Sequence, residues 1–153
     1  YNLNAGKIRI NCGFVHQETF LLDDTIKKNI AIGLHSEEID EKNLNEVIKK
    51  ARLENFIKTL PNGFDTIVGE KGSQISVGQA QRIGIARTLY HNPDLVIFDE
   101  ATSALDNENA IQIIDMINEI KAEKAIIFIS HDLNHQNKFD KTIEIKNGNL
   151  FNL

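Results

Sequence analysis

With 153 residues, a formal net charge of −5 and 41% hydrophobic residues, the chain has room for one domain with a real core and not for two. Its lysines and glutamates are interspersed, which argues against a nucleic-acid surface. Its one cysteine, Cys12, cannot make an internal disulfide, so the chain reads as intracellular and Cys12 as small core filler. The longest apolar runs, Leu95-Val96-Ile97-Phe98 and Ala125-Ile126-Ile127-Phe128-Ile129, fall far short of the roughly 20 residues a membrane helix needs. A start at Tyr1 without a methionine or a charged-then-apolar leader suggests a piece of a longer protein.

In chain order, residues 1–11 are polar, carry only the alternation Ile8-Arg9-Ile10, and point to no function. Cys12-Gly13-Phe14-Val15 reads as a short buried strand that the chain leaves at His16-Gln17-Glu18. Residues 25–32 predict a short helix. Residues 36–52 predict a second, with Leu44, Val47, Ile48 and Ala51 on one face. Glu37, Glu38, Asp40 and Glu41 crowd its start, where the macrodipole favours acids. A third helix spans 54–60, stopped by Pro61 and the turn Asn62-Gly63. Helices without intervening strands predict a helical subdomain inserted in an α/β core. Residues 66–74, with two glycines and little periodicity, read as a connector.

The centre of the chain is the stretch 75–106. Ser76 and Gln79 stand three apart, as a capping box requires, and open a helix patterned by Ala80, Ile83, Ala86, Arg87 and Tyr90; the amides behind such a cap can face an anion. Asn92-Pro93 closes that helix. The run Leu95-Val96-Ile97-Phe98 has the composition of a parallel strand buried on both faces, and it delivers Asp99 and Glu100 at its carboxyl end. There an Asp is placed to hold magnesium through its water shell and a Glu to orient or deprotonate a water for phosphoryl transfer; the plainer role is to cap the next helix. Residues 107–120 predict an amphipathic helix with Ile111, Ile114, Met116 and Ile117 inward. Residues 125–129 predict a second buried strand ending at Ser130-His131-Asp132. Thr142-Ile143-Glu144-Ile145, Asn147-Gly148 and Leu150-Phe151 predict a hairpin. The remaining histidines, His16, His35, His91 and His135, show no metal-ligand spacing.

Taken together, Ile75-Ser76-Val77-Gly78-Gln79, the Leu95 to Glu100 run and Ser103-Ala104-Leu105-Asp106 resemble, in order and spacing, the signature loop, Walker B and D-loop of ABC ATPase nucleotide-binding domains. Residues 14–22 (FVHQETFLL) are similar to the exporter Q-loop, Gly69-Glu70-Lys71-Gly72 to the exporter X-loop, and His131 falls at the H-loop position. The resemblance implies a P-loop NTPase-like α/β fold, a parallel sheet core with an inserted α-helical subdomain, present as a single partial domain. About 23–75 would be helical subdomain and X-loop, and about 76–153 signature helix and α/β core.

It also implies ATP and magnesium as cofactors. Asp99 and Gln17 would serve the metal, Glu100 would be the general base, and His131 would contact the γ-phosphate, with Gln17 also reaching the attacking water. Ser76, Val77, Gly78 and Gln79 would meet the nucleotide of the opposite subunit, and Asp106 would communicate across the dimer. The implied partners are a second nucleotide-binding domain and a transmembrane domain of the same or another chain, with no nucleic acid, at the cytoplasmic face of the inner membrane. Residues 17–22 and 66–74 would couple to the membrane domain, with Glu70 against a coupling helix. ATP-driven dimerisation would then drive export.

Two departures bear on that reading. No GxxxxGKS or GxxxxGKT occurs, Gly6-Lys7 being the only Gly-Lys pair, so the resemblance covers the later, carboxyl-terminal part of the domain. Val77 stands where the signature loop usually has glycine, and His16 where a proline often precedes the glutamine. A soluble non-transport ABC ATPase and a non-hydrolysing regulatory subunit are the competing readings.

Overall fold

The computed structural model describes residues 10–70 and 75–152. Gly6-Lys7, the start of the Ile8-Arg9-Ile10 alternation, and Lys71 to Gln74 of the expected coupling segment lie outside the described residues. The chain opens with β1 (Cys12–Val15), then a two-residue strand β2 (Asp24–Thr25) and α1 (Ile26–Ile30), whose first turn is capped by the Thr25 hydroxyl. The expected helix over 36–52 is broken. A 3₁₀ turn covers Ser36–Glu38, and α2 (Glu41–Lys50) starts afresh at Asp40, whose carboxylate accepts from the Lys42 and Asn43 amides. Asp40 is a stronger cap than it is a helix interior residue, so the acids that crowd this region mark two helix starts instead of one. After α3 (Glu54–Thr59), a second two-residue strand, β3 (Ile67–Val68), pairs antiparallel with β2 and ties together the two ends of this helical stretch. Strands this short have no readable period.

The signature stretch forms α4 (Val77–Tyr90), followed by β4 (Leu95–Asp99), α5 (Asn107–Ile120), β5 (Ala125–Ile129) and the hairpin β6 (Ile143–Lys146) and β7 (Asn149–Asn152). Asn147 and Gly148 turn that hairpin with φ of 51° and 76°, the paired positive values a tight two-residue turn needs. The parallel sheet has the order β1-β4-β5, with Val15, Phe98 and Phe128 in one register row and Phe14, Ile97 and Ile127 in the next.

The sheet is buried on one face only. Val15, Val96 and Phe98 are buried in a core shared with Ile83 and Ala86 of α4 and with Ile113, Met116, Ile117 and Ile120 of α5. On the opposite face Phe14, Ile127 and Ile129 are 42%, 47% and 46% exposed. Cys12 shares that face and is exposed, so it is not a core residue. The expectation of strands buried on both faces is therefore corrected: among the described residues, no helix covers the second face. Along α5 the inward stripe runs Ile113, Met116, Ile117 and Ile120, while Ile111 is exposed. Ile111 lies two residues before Ile113, about 200° round the helix, and so points away from the stripe.

Candidate functional site

The carboxyl ends of β4 and β5 bring two of the sequence-predicted residues together. Glu100 follows β4 with φ of 50°, in the left-handed region, its amide bonded to Ile129 O at 3.0 Å and its carbonyl accepting from the Ser103 amide and hydroxyl at 3.0 and 2.9 Å. This turn aims the carboxylate across to β5, where Glu100 Oε1 lies 2.8 Å from His131 Nε2. The Glu100 side chain is 26% exposed and that of His131 92%, so the imidazole can swing outward while the carboxylate stays sheltered. A non-glycine residue in this backbone region costs about 1–2 kcal/mol, a strain of the kind that collects at functional sites.

At the start of α4 the capping box is complete. The Ser76 hydroxyl accepts from the Gln79 amide at 3.2 Å, and the Gln79 side-chain oxygen accepts from the Ser76 amide at 2.9 Å. Val77, the first residue of the helix, is 57% exposed, whereas Gly78 is buried against α5. A β-carbon on Gly78 would sit 3.3 Å from Asn109 Oδ1. Asn109 in turn donates its amide and side-chain nitrogen to Asp106, the α5 cap, at 3.0 and 2.6 Å. The Asn109 backbone bond and then its side-chain bond hold the Asp106 carboxyl below its ordinary range. The signature loop is thus packed on Asn109, which bonds Asp106 at the end of the D-loop positions, while among the described residues no hydrogen bond joins the signature loop to the Glu100–His131 pair.

Gln17 lies two residues beyond Val15, whose register partner Phe98 directly precedes Asp99. Both side chains are at least partly open to solvent. A carboxylate and an amide oxygen are hard donors of the type magnesium takes together with phosphate and water. The donor set fits the ion.

Periodicity does not disclose the contacts behind this rim. Gln81, on the buried face of α4, donates Nε2 to His16 O and accepts the Thr19 hydroxyl on Oε1, both at 2.9 Å. Arg87 donates to the carbonyls of Asn29 and Phe20 at 2.7 and 3.0 Å, and burial lowers its guanidinium pKa. Asn29, fully buried, pairs with both the amide and the carbonyl of Leu22 at 2.8 and 3.0 Å. Gln81 and Arg87 stand among other polar residues of α4 and Asn29 follows two lysines in α1, so the sequence offers no signal that separates them from a wet face.

A family model described as ABC transporter matches residues 3–103. An ATP-dependent lipid A-core flippase of Saccharophagus degradans is 43% identical over 149 residues, 97% of this chain and 25% of that protein. A putative multidrug export ATP-binding/permease protein of Staphylococcus aureus is 39% identical over 146 residues, 95% of this chain and 25% of its own length. The structure of a bacterial Atm1-family ABC exporter with ATP bound superposes with a TM-score of 0.77 at 36% identity, covering 90% of this chain and 24% of that one. The chain therefore spans about a quarter of the length of these relatives.

Proposed function

Since this chain belongs to the ABC transporter family, we propose that it is part of the ATP-hydrolysing motor of an exporter. The observation that carries this reading is the 2.8 Å contact between Glu100 and His131 at the ends of adjacent parallel strands, with Glu100 held in a left-handed turn. In the working enzyme Glu100 takes the proton of the attacking water, and His131 leaves Glu100 to donate to the γ-phosphate, a motion its exposure allows. Asp99 and Gln17 would hold magnesium, which supplies charge neutralisation on the phosphates. Ser76, Val77, Gly78 and Gln79 would meet the nucleotide of the opposite subunit, with Val77 exposed at the helix start, and Asp106 would link the D-loop to that surface.

In this reading about 23–75 would be the helical subdomain and X-loop and about 76–153 the signature helix and α/β core, whose β4 and β5 are joined in the sheet by β1. No phosphate loop occurs in these 153 residues, so in this reading the triphosphate is cradled by residues outside them, in the same or a second chain. Closure of two such motors drives a membrane domain through residues 17–22 and 66–74, with the motor at the cytoplasmic face of the inner membrane. In the full-length protein Glu100→Gln keeps ATP binding and loses the base, so labelled ATP should remain occluded in a closed pair. Release of labelled ADP at the parental rate would remove Glu100 from the chemistry.

A further inference from the structure

We propose that Gln81 is a positioning residue that sets the Q-loop turn carrying Gln17 in register with the signature helix. The inference rests on the motor reading above and deepens it. Gln81 is 2% exposed, and both halves of its amide are used on the segment that follows β1. The nitrogen holds His16 O, one residue before Gln17, and the oxygen holds the Thr19 hydroxyl, two residues after it. A single side chain therefore clamps the turn on both sides of Gln17.

The neighbouring residues on the same face of α4 make the seat. Gly84, one turn further along, leaves room for Thr19, since a β-carbon there would lie 2.5 Å from Thr19 Oγ1. Thr88, another turn along, donates to Phe14 O at 3.2 Å and to Gly84 O at 3.0 Å, and Arg87 grips Phe20 O at 3.0 Å. Residues 14–20 are thus held along one helix, and the Gln81 clamp lies nearest that helix's amino end. Ser76 is five residues away, about 7.5 Å along the axis. Because a helix moves as a rod, any displacement of the signature loop reaches Gln17 through this amide. An apolar residue of the same length would fill the site without burying a polar group, so packing alone gives no reason for glutamine here.

The test uses the full-length protein and four variants: Gln81→Met, which keeps length and volume but neither bond; Thr19→Val, which removes the hydroxyl alone; Gln17→Ala; and the Gln17→Ala, Gln81→Met double variant. Steady-state kcat and KM for ATP are measured for each, with thermal melting as a check on folding. Gln81→Met should lower kcat about tenfold and leave KM for ATP within about twofold, and Thr19→Val should lower kcat by a smaller factor. The double variant should be no slower than Gln17→Ala, because both changes act through one group. A Gln81→Met rate equal to the parent's, or a full extra loss on top of Gln17→Ala, overturns the proposal. If Gln81→Met does not fold, Thr19→Val and a Gln17→Ala, Thr19→Val double variant carry the same cycle: a non-additive loss supports the clamp, and a parental rate in Thr19→Val or a fully additive loss overturns it. Parental turnover in Gln17→Ala overturns the clamp and leaves the motor reading standing, whereas a parent that hydrolyses no ATP removes both.

Discussion

Glu100 combines two demands that conflict in most residues, a carboxylate at the strand end and a backbone φ of 50°. Glycine would satisfy the backbone and alanine would satisfy neither demand. Of two variants that both lose the carboxylate, Glu100→Gly should therefore unfold at higher temperature than Glu100→Ala, by roughly 1 kcal/mol of stability. Equal melting, or a more stable alanine variant, would show that the turn is not strained. The adjacency of Asp99 and Glu100 was plain in the sequence, but the turn that joins Glu100 to His131 was not. It depends on pairing between β4 and β5, a contact between residues 31 apart in the chain that no local pattern encodes.

At the scale of the element, α4 was the most legible part of the chain, because a capping box and an Asn-Pro stop are local chemistry written at fixed offsets. The same rules misread 36–52, where Asp40 had to be recognised as a second cap, and the α5 stripe, where Ile113 and not Ile111 faces inward. The buried polar face of α4 was invisible to periodicity, since Gln81 and Arg87 count as polar while lying under the loop they hold. Val77 departs from the family's signature without disturbing this helix: it is exposed at the first position, and the Ser76–Gln79 box closes around it. Val77→Gly should accordingly change the ATPase rate of the full-length protein by less than about tenfold, under about 1.4 kcal/mol of barrier. A silent parent rescued by glycine would mean that the branched side chain keeps the loop from its phosphate.

At the largest scale, the described residues build a three-stranded parallel sheet with one face covered by helices, an apolar second face that is half exposed, and the candidate chemical groups along the carboxyl rim. Parallel strands are ordinarily covered on both sides, which is why the apolar runs of β4 and β5 read as doubly buried. Whether a second face is covered depends on residues distant from those runs, so the runs themselves hold no information about it. The missing phosphate loop bears on ligand binding in the same way. A chain with the rim groups but no phosphate loop should bind magnesium-ATP weakly, with a Kd no tighter than about 1 mM, or about −4 kcal/mol. Calorimetric titration of the isolated chain checks this, and micromolar affinity would mean that it carries a nucleotide site of another kind.

The central claim is that this rim hydrolyses ATP with Glu100 as its base, and the most direct measurement is steady-state phosphate release by the full-length protein and its Glu100→Gln variant in lipid vesicles. The parent should turn over ATP, and the variant should lose at least about a hundredfold in rate, the lower end of what a positioned base contributes. A variant that releases phosphate at the parental rate, or a parent that releases none, would contradict it.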